Sequence, residues 1–129
     1  VGANDIQTTK ALLEAEAWDG PSLVIAYSTC IAHGIDMSTS MSHQAEAVKS
    51  GFWPLYRHDP RRALEGAPLL RLDSRRRGEG FRAFAGKERR FTTLARTDPL
   101  LAEALLGAEE ADIDERWAVY ESLAARKPA

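Results

Sequence analysis

The chain has 129 residues, 44% of them apolar and 28% charged, with a formal net charge of −2 and a single cysteine. That is the composition of a soluble globular chain with one core, and the cysteine count argues against a disulfide-stapled secreted protein. No apolar run approaches the ~20 residues of a membrane span, and the N-terminus lacks a secretory pattern, so a cytoplasmic setting is expected.

The first predicted element is a helix in "GANDIQTTKALLEAEAWDGP". Asn4 or Asp5 caps it, Ile6, Thr9, Leu13 and Ala17 fall at helical spacing with Leu12 widening the stripe, and Gly20-Pro21 stops it. "SLVIAYS" follows at once. An unbroken apolar run after Gly-Pro predicts a strand buried on both faces, hence a mostly parallel α/β sheet covered by helices. Such sheets gather ligands beyond the carboxyl ends of their strands, and Cys30 stands there in "STCIAHG".

"STSMSHQAEAVKSG" predicts a second helix with Met41, Ala45 and Val48 on its apolar face, Ser40 or Ser42 as cap and Gly51 as terminator. "FWPLYRHDP" predicts an edge strand or extended segment, because Pro54 bars a central position. Its aromatic residues are packing groups that join the small sheet to its helices. "HDPRRALEGAPLLRLDSRRRGEG" predicts a charged surface connection. "KERRFTTLAR" predicts a helix with Phe91, Leu94 and Ala95 inward. Asp98-Pro99 caps and opens "LLAEALLG", and "DIDERWAVYESLAAR" aligns Ile113, Trp117, Tyr120 and Ala124.

Charge is uneven along the chain. Residues 71–90 carry eight Arg or Lys against three acids, and residues 98–126 carry eight acids against two Arg. The two segments are expected to face each other or to solvate separate surfaces. No aromatic residues interleave the arginines in the way a nucleic-acid groove requires.

Few residues carry chemistry by pattern. His33, His43 and His58 lack metal-ligand spacing, and Asp36, Asp59 and Asp73 fit turn roles. No phosphate-cradling or nucleophile-elbow motif is present. Cys30 has three readings: a small buried apolar residue, a nucleophile served by His33 if residues 30–34 form a helical turn, or a thiolate ligand to a soft metal centre.

The words "GANDIQTTKALLEAEAWDGPSLVIAYSTCIAHGIDM", "AVKSGFWPLYRHDPRR" and "LLRLDS", with "KERRFTTL", "DPLLAEALL" and "DERWAVYESLA" behind them, closely resemble the C-terminal part of the pyruvate:ferredoxin (flavodoxin) oxidoreductases. The resemblance implies that residues 1–74 are the C-terminal part of the second thiamine diphosphate-binding domain, an α/β fold, and that 75–129 are a charged connection and helices. It implies oxidative decarboxylation of pyruvate to acetyl-CoA on thiamine diphosphate and Mg2+, with electrons passing through [4Fe–4S] clusters to ferredoxin or flavodoxin. Cys30, in the family's "CIAHG" word, is then the fourth ligand of the thiamine-proximal [4Fe–4S] cluster. The other three cysteines, the GDG-containing thiamine motif and the ferredoxin-like domain are not in this sequence. The implied partners are the remainder of the polypeptide, pyruvate, coenzyme A and the electron carrier, in a homodimer without nucleic acid or membrane. The chain alone, read as a fragment or subunit-like piece, is expected to hold no cofactor and to be inactive. Two other readings are a non-catalytic assembly module derived from that domain and a thiol enzyme using Cys30 with His33.

Overall fold

In the computed structural model the described residues are 2–75 and 80–128. The part of the predicted charged connection at 76–79 lies outside them.

Local signals in the sequence place several helix ends. Helix α1 spans Asp5–Glu16, and the Asn4 side chain accepts a hydrogen bond from the Gln7 amide. Helix α2 spans Ser40–Lys49, and Gly51, at φ 81°, closes it in the left-handed region that glycine reaches at least cost. Strands β1 (Tyr56–His58) and β2 (Leu70–Leu72) pair antiparallel with Arg57 opposite Arg71. Short helix α3 (Phe81–Ala85) leads into α4 (Arg89–Thr97). Helix α5 runs unbroken over Pro99–Ala125, capped by the Asp98 carboxylate and opened by Pro99. The sequence predicted two helices there. Gly107 is absorbed because its cost, about 1 kcal/mol against alanine, is small beside the packing of a 27-residue helix.

The core gathers Ala47 from α2, Phe81, Phe84 and Ala85 from α3, and Ile113 and Trp117 from α5, with Tyr27, Phe52 and Trp53 packed around it. The inward faces of α5 and the "FWPLY" aromatics are as the sequence predicted. Helix α5 lies against α4 and β2, and the basic and acidic segments do meet, with Arg82 paired to Glu103 and Glu110.

Six expectations are corrected. Residues 22–28 are not a buried strand: positions 21–30 run without regular structure, and Leu23, Val24 and Ile25 are exposed. No parallel sheet occurs among the described residues, where the two-stranded antiparallel pairing is the sheet. The architecture is helix-rich α/β. A two-sided strand needs neighbours on both edges, and the described residues supply none.

The apolar stripe of α1 also faces outward, with Ile6, Leu12 and Leu13 exposed. The helix is instead held by polar residues. Arg57 donates to Asp73 through Nε at 2.7 Å and Nη2 at 2.9 Å and also pairs with Glu14, while Gln7 donates to Asp73 at 3.1 Å. Helix α1 ends at Glu16, so Gly20 does not terminate it. On α2, His43, Gln44 and Ala47 are buried and Met41 is exposed. Lastly, 58–75 is no mere surface connection, since it contains the short helix Pro60–Glu65 and β2, where Leu70 is buried.

The clamp on Asp73 has a pH signature. Burial works against its ionisation, but hydrogen bonds from Arg57 and Gln7 outweigh this and hold the carboxyl below its ordinary value. A carboxyl with a lowered folded-state pKa stabilises above the unfolded value and loses that contribution as pH falls through the folded one. Acidification through and below the ordinary carboxylate range is expected to detach α1 from the hairpin before the core opens. Faster amide exchange in α1, with α5 still protected, is the check.

Candidate functional site: the Cys30 turn

Cys30 is exposed and stands immediately before a single 3-10 turn, Ile31–His33. Its carbonyl accepts from the His33 amide at 2.9 Å, and the Ile31 carbonyl accepts from Gly34 at 2.9 Å. The helical turn on which the approach of His33 to Cys30 depended therefore forms. Gly34 sits at φ 71°, and a Cβ built there would overlap the Cβ of Arg89. Glycine is needed twice, for the left-handed backbone and for the close approach to α4.

The segment around Cys30 is tied down although the thiol is not. Thr29 is buried and its hydroxyl pairs with Ser40 at the start of α2. Tyr27 packs between Phe52 and Trp53, with ring centroids at 6.3 and 5.3 Å. Burial first, and then the charge of Glu88, push its phenol above the ordinary value. The hydroxyl lies buried beside Glu88 without meeting hydrogen-bond geometry. The chain thus presents a free sulfur from a segment anchored on both sides.

The sequence named other residues that play different parts. Nδ1 of His33 is buried and meets no hydrogen-bond partner, the Cys30 sulfur included, among the described residues. The nucleophile–base pair is not assembled. Asp36 and Asp59 cap short helices by accepting from the Ser38 and Arg61 amides, as turn residues do. His58 lies on β1 opposite Leu70. Among the described residues no three His, Cys, Asp or Glu side chains converge on a metal position, and no helix is long and apolar enough to cross a membrane. A cavity of about 650 Å3 between α1, residues 21–27 and β1 does not reach Cys30.

One cluster escaped the sequence reading. Glu88 is wholly buried, and its Oε1 lies 2.8 Å from Nε2 of His43 while its other oxygen pairs with Arg90. His43 stacks on Phe84 at 4.7 Å and is 3.5 Å from Glu46, which pairs with Lys87 at 2.6 Å. Arg90 lies over the Phe91 and Phe52 rings. The available signal was a histidine in the middle of a helix face that had to pack, with a glutamate inside a run otherwise basic.

No family model matches the chain. Comparison with curated proteins is decisive. The chain is 47% identical over 126 residues to the pyruvate-flavodoxin oxidoreductase of Nostoc, an alignment covering 98% of this chain and 10% of that protein. It is 45% identical over 124 residues to the pyruvate:ferredoxin oxidoreductase of Moorella thermoacetica, covering 96% of this chain and 11% of that protein. The Klebsiella pneumoniae pyruvate-flavodoxin oxidoreductase is 45% identical over 126 residues, with 96% and 11% covered. The chain spans about a tenth of the length of these relatives. At such identity over nearly its whole extent, the chain belongs to the pyruvate-flavodoxin and pyruvate:ferredoxin oxidoreductase family, as the counterpart of one segment of those long enzymes.

Proposed function

We propose that this segment supplies one cluster ligand, Cys30, to a 2-oxoacid oxidoreductase that decarboxylates pyruvate to acetyl-CoA and delivers electrons to ferredoxin or flavodoxin. Cys30 is the fourth thiolate of the [4Fe–4S] cluster nearest the thiamine diphosphate. One observation carries this: the only cysteine of the chain is exposed on a turn that is otherwise pinned to the body. An exposed thiolate on a fixed backbone suits a ligand that must meet inorganic sulfide and iron in a set position. Three further thiolates come from the remainder of the polypeptide, because a cluster needs four. When bound, the cluster supplies one-electron transfer at low potential.

In this reading residues 1–74 are the end of a thiamine diphosphate-binding α/β domain, and 75–129 are its charged connection and helices. The run 22–28, exposed at Leu23, Val24 and Ile25, becomes a strand of a parallel sheet completed by the rest of that domain, and the outward stripe of α1 covers it. Thiamine diphosphate, Mg2+, pyruvate and coenzyme A bind elsewhere in the intact, homodimeric, cytoplasmic enzyme. The isolated chain is inactive.

The test is Cys30→Ser in a full-length oxidoreductase carrying this segment. The expected result is loss of one [4Fe–4S] signal, or its conversion to a three-iron form, in the electron paramagnetic resonance spectrum. An unchanged spectrum with unchanged iron content refutes the assignment. The assembly-module reading is favoured by the apolar exposure of α1 and residues 23–25. It predicts an unchanged spectrum in Cys30→Ser and loss of association when Val24 or Ile25 is replaced by a charged residue.

A further inference from the structure

We infer that Glu88 is a positioning residue for Cys30: its buried carboxylate, locked by His43 and Arg90, fixes the platform on which the Cys30 turn rests. This rests on the reading of Cys30 as a cluster ligand, and it adds what holds that ligand in place.

The argument begins with where Glu88 sits. It is the residue before α4, and its carbonyl accepts from the Phe91 and Thr92 amides at 3.1 and 3.2 Å. Its side chain does not cap the helix. It turns inward to a place of zero exposure, where His43 Nε2 lies 2.8 Å away and Arg90 binds the second oxygen. The anchor is therefore a contact between two elements 45 positions apart in sequence, α2 and the start of α4.

The residues around this anchor reach both flanks of Cys30. Tyr27, three positions before it, packs on Phe52 and Trp53, and the Phe52 ring lies under Arg90, the partner of Glu88. Gly34, four positions after it, packs its backbone onto the Cβ of Arg89. Thr29 adds a tie to Ser40 at the head of α2, the helix that carries His43. Movement of Glu88–Arg89 relative to α2 shifts the Gly34 end of the segment against its Thr29 end, and Cys30 lies between them.

A merely stabilising role is the weaker account. Removing a carboxylate from water costs more than a buried pair generally returns, and well-packed apolar side chains often do as well. What the ionic arrangement gives and an apolar plug does not is direction, because a carboxylate with two fixed donors admits one orientation of α4 against α2.

The test compares Glu88→Gln with Glu88→Asp in this chain and in a full-length oxidoreductase. In the chain, the amides of His33 and Gly34, bonded within the turn, report on positioning without any cluster. Their hydrogen exchange is expected to rise about tenfold in Glu88→Gln, with α5 exchange unchanged, because a local contact rather than the global fold is released. Glu88→Asp is expected to recover part of the protection. In the full-length enzyme Glu88→Gln is expected to keep its iron content but to shift the resonance line shape and reduction potential of the cluster bound by Cys30. If Glu88→Gln does not fold, Arg90→Gln, on a partly exposed side chain, carries the same comparison. Unchanged His33 and Gly34 exchange, or a rise matched equally in α5, overturns the proposal. Should Cys30→Ser leave the clusters intact, the cluster reading fails alone, and the exchange arm still decides whether Glu88 positions the turn.

Discussion

Trp117→Ala is expected to lower the stability of the chain by about 3–5 kcal/mol, the range for removing a large aromatic side chain from a packed core. Trp117 is 2% exposed and lies in the cluster of Ile113, Phe81, Phe84, Ala85 and Ala47. Its indole nitrogen also donates to the Gly51 carbonyl at 2.8 Å. That bond joins α5 to the end of α2, so the substitution opens a cavity and orphans a buried acceptor together. Trp117→Phe separates the two effects. It retains most of the apolar contact and should cost about 1–3 kcal/mol, the penalty of an unsatisfied buried group. Urea unfolding followed by far-ultraviolet dichroism measures both. A loss below about 1 kcal/mol in the alanine variant would show that α5 is not what closes the core.

His43→Ala is expected to have an effect of similar size, about 3–5 kcal/mol, for a different reason. The His43 side chain is 4% exposed and Glu88 is wholly buried. Removing the imidazole leaves a buried carboxylate with Arg90 as its remaining partner and strips the stacked ring from Phe84. The diagnostic is the double substitution His43→Leu with Glu88→Met, which removes both polar groups and refills the space. It should recover much of the loss, since replacing a buried pair by packed apolar groups is often close to neutral. A double variant as unstable as the single one would mean that the space itself, and not the missing partner of the Glu88 carboxylate, sets the cost. The cycle is measured by the same denaturation.

What could be read from the sequence was what short range decides. Asn4, Gly51 and Asp98-Pro99 mark ends because caps and left-handed glycines act on amides within a few residues. The face of α5 carrying Ile113 and Trp117 was visible because those side chains repeat at the helical period. The turn of 30–34 was open to the sequence as a condition for His33 to approach Cys30, whereas the exposure of the thiol departs from the ordinary burial of a lone cysteine.

What could not be read depends on distant partners. Ile6 and Leu13 have the period of a buried face, and periodicity says only that a face exists, not that the chain itself covers it. Residues 22–28 have the composition of a central strand, yet pairing is a property of two segments and the second is not among the described residues. Glu88 was passed over because glutamate in a basic run is ordinarily solvated. Only the meeting of α2 with α4 makes it interior. The facing of α2 was misread for the same reason: it presents His43 and Gln44 inward to polar partners, so apolar spacing pointed to Met41 on the wrong side.

The uncovered ribbon at 21–30 has a practical consequence. Leu23, Val24 and Ile25 offer a short, uncharged, apolar run whose backbone has no ladder partner among the described residues. Such edges recruit whatever strand is nearest, and at high concentration the nearest is another copy of themselves. Solubility of the separated polypeptide is then governed by these few positions rather than by its net charge. Co-producing a neighbouring piece of the parent enzyme would act as a shield against precipitation.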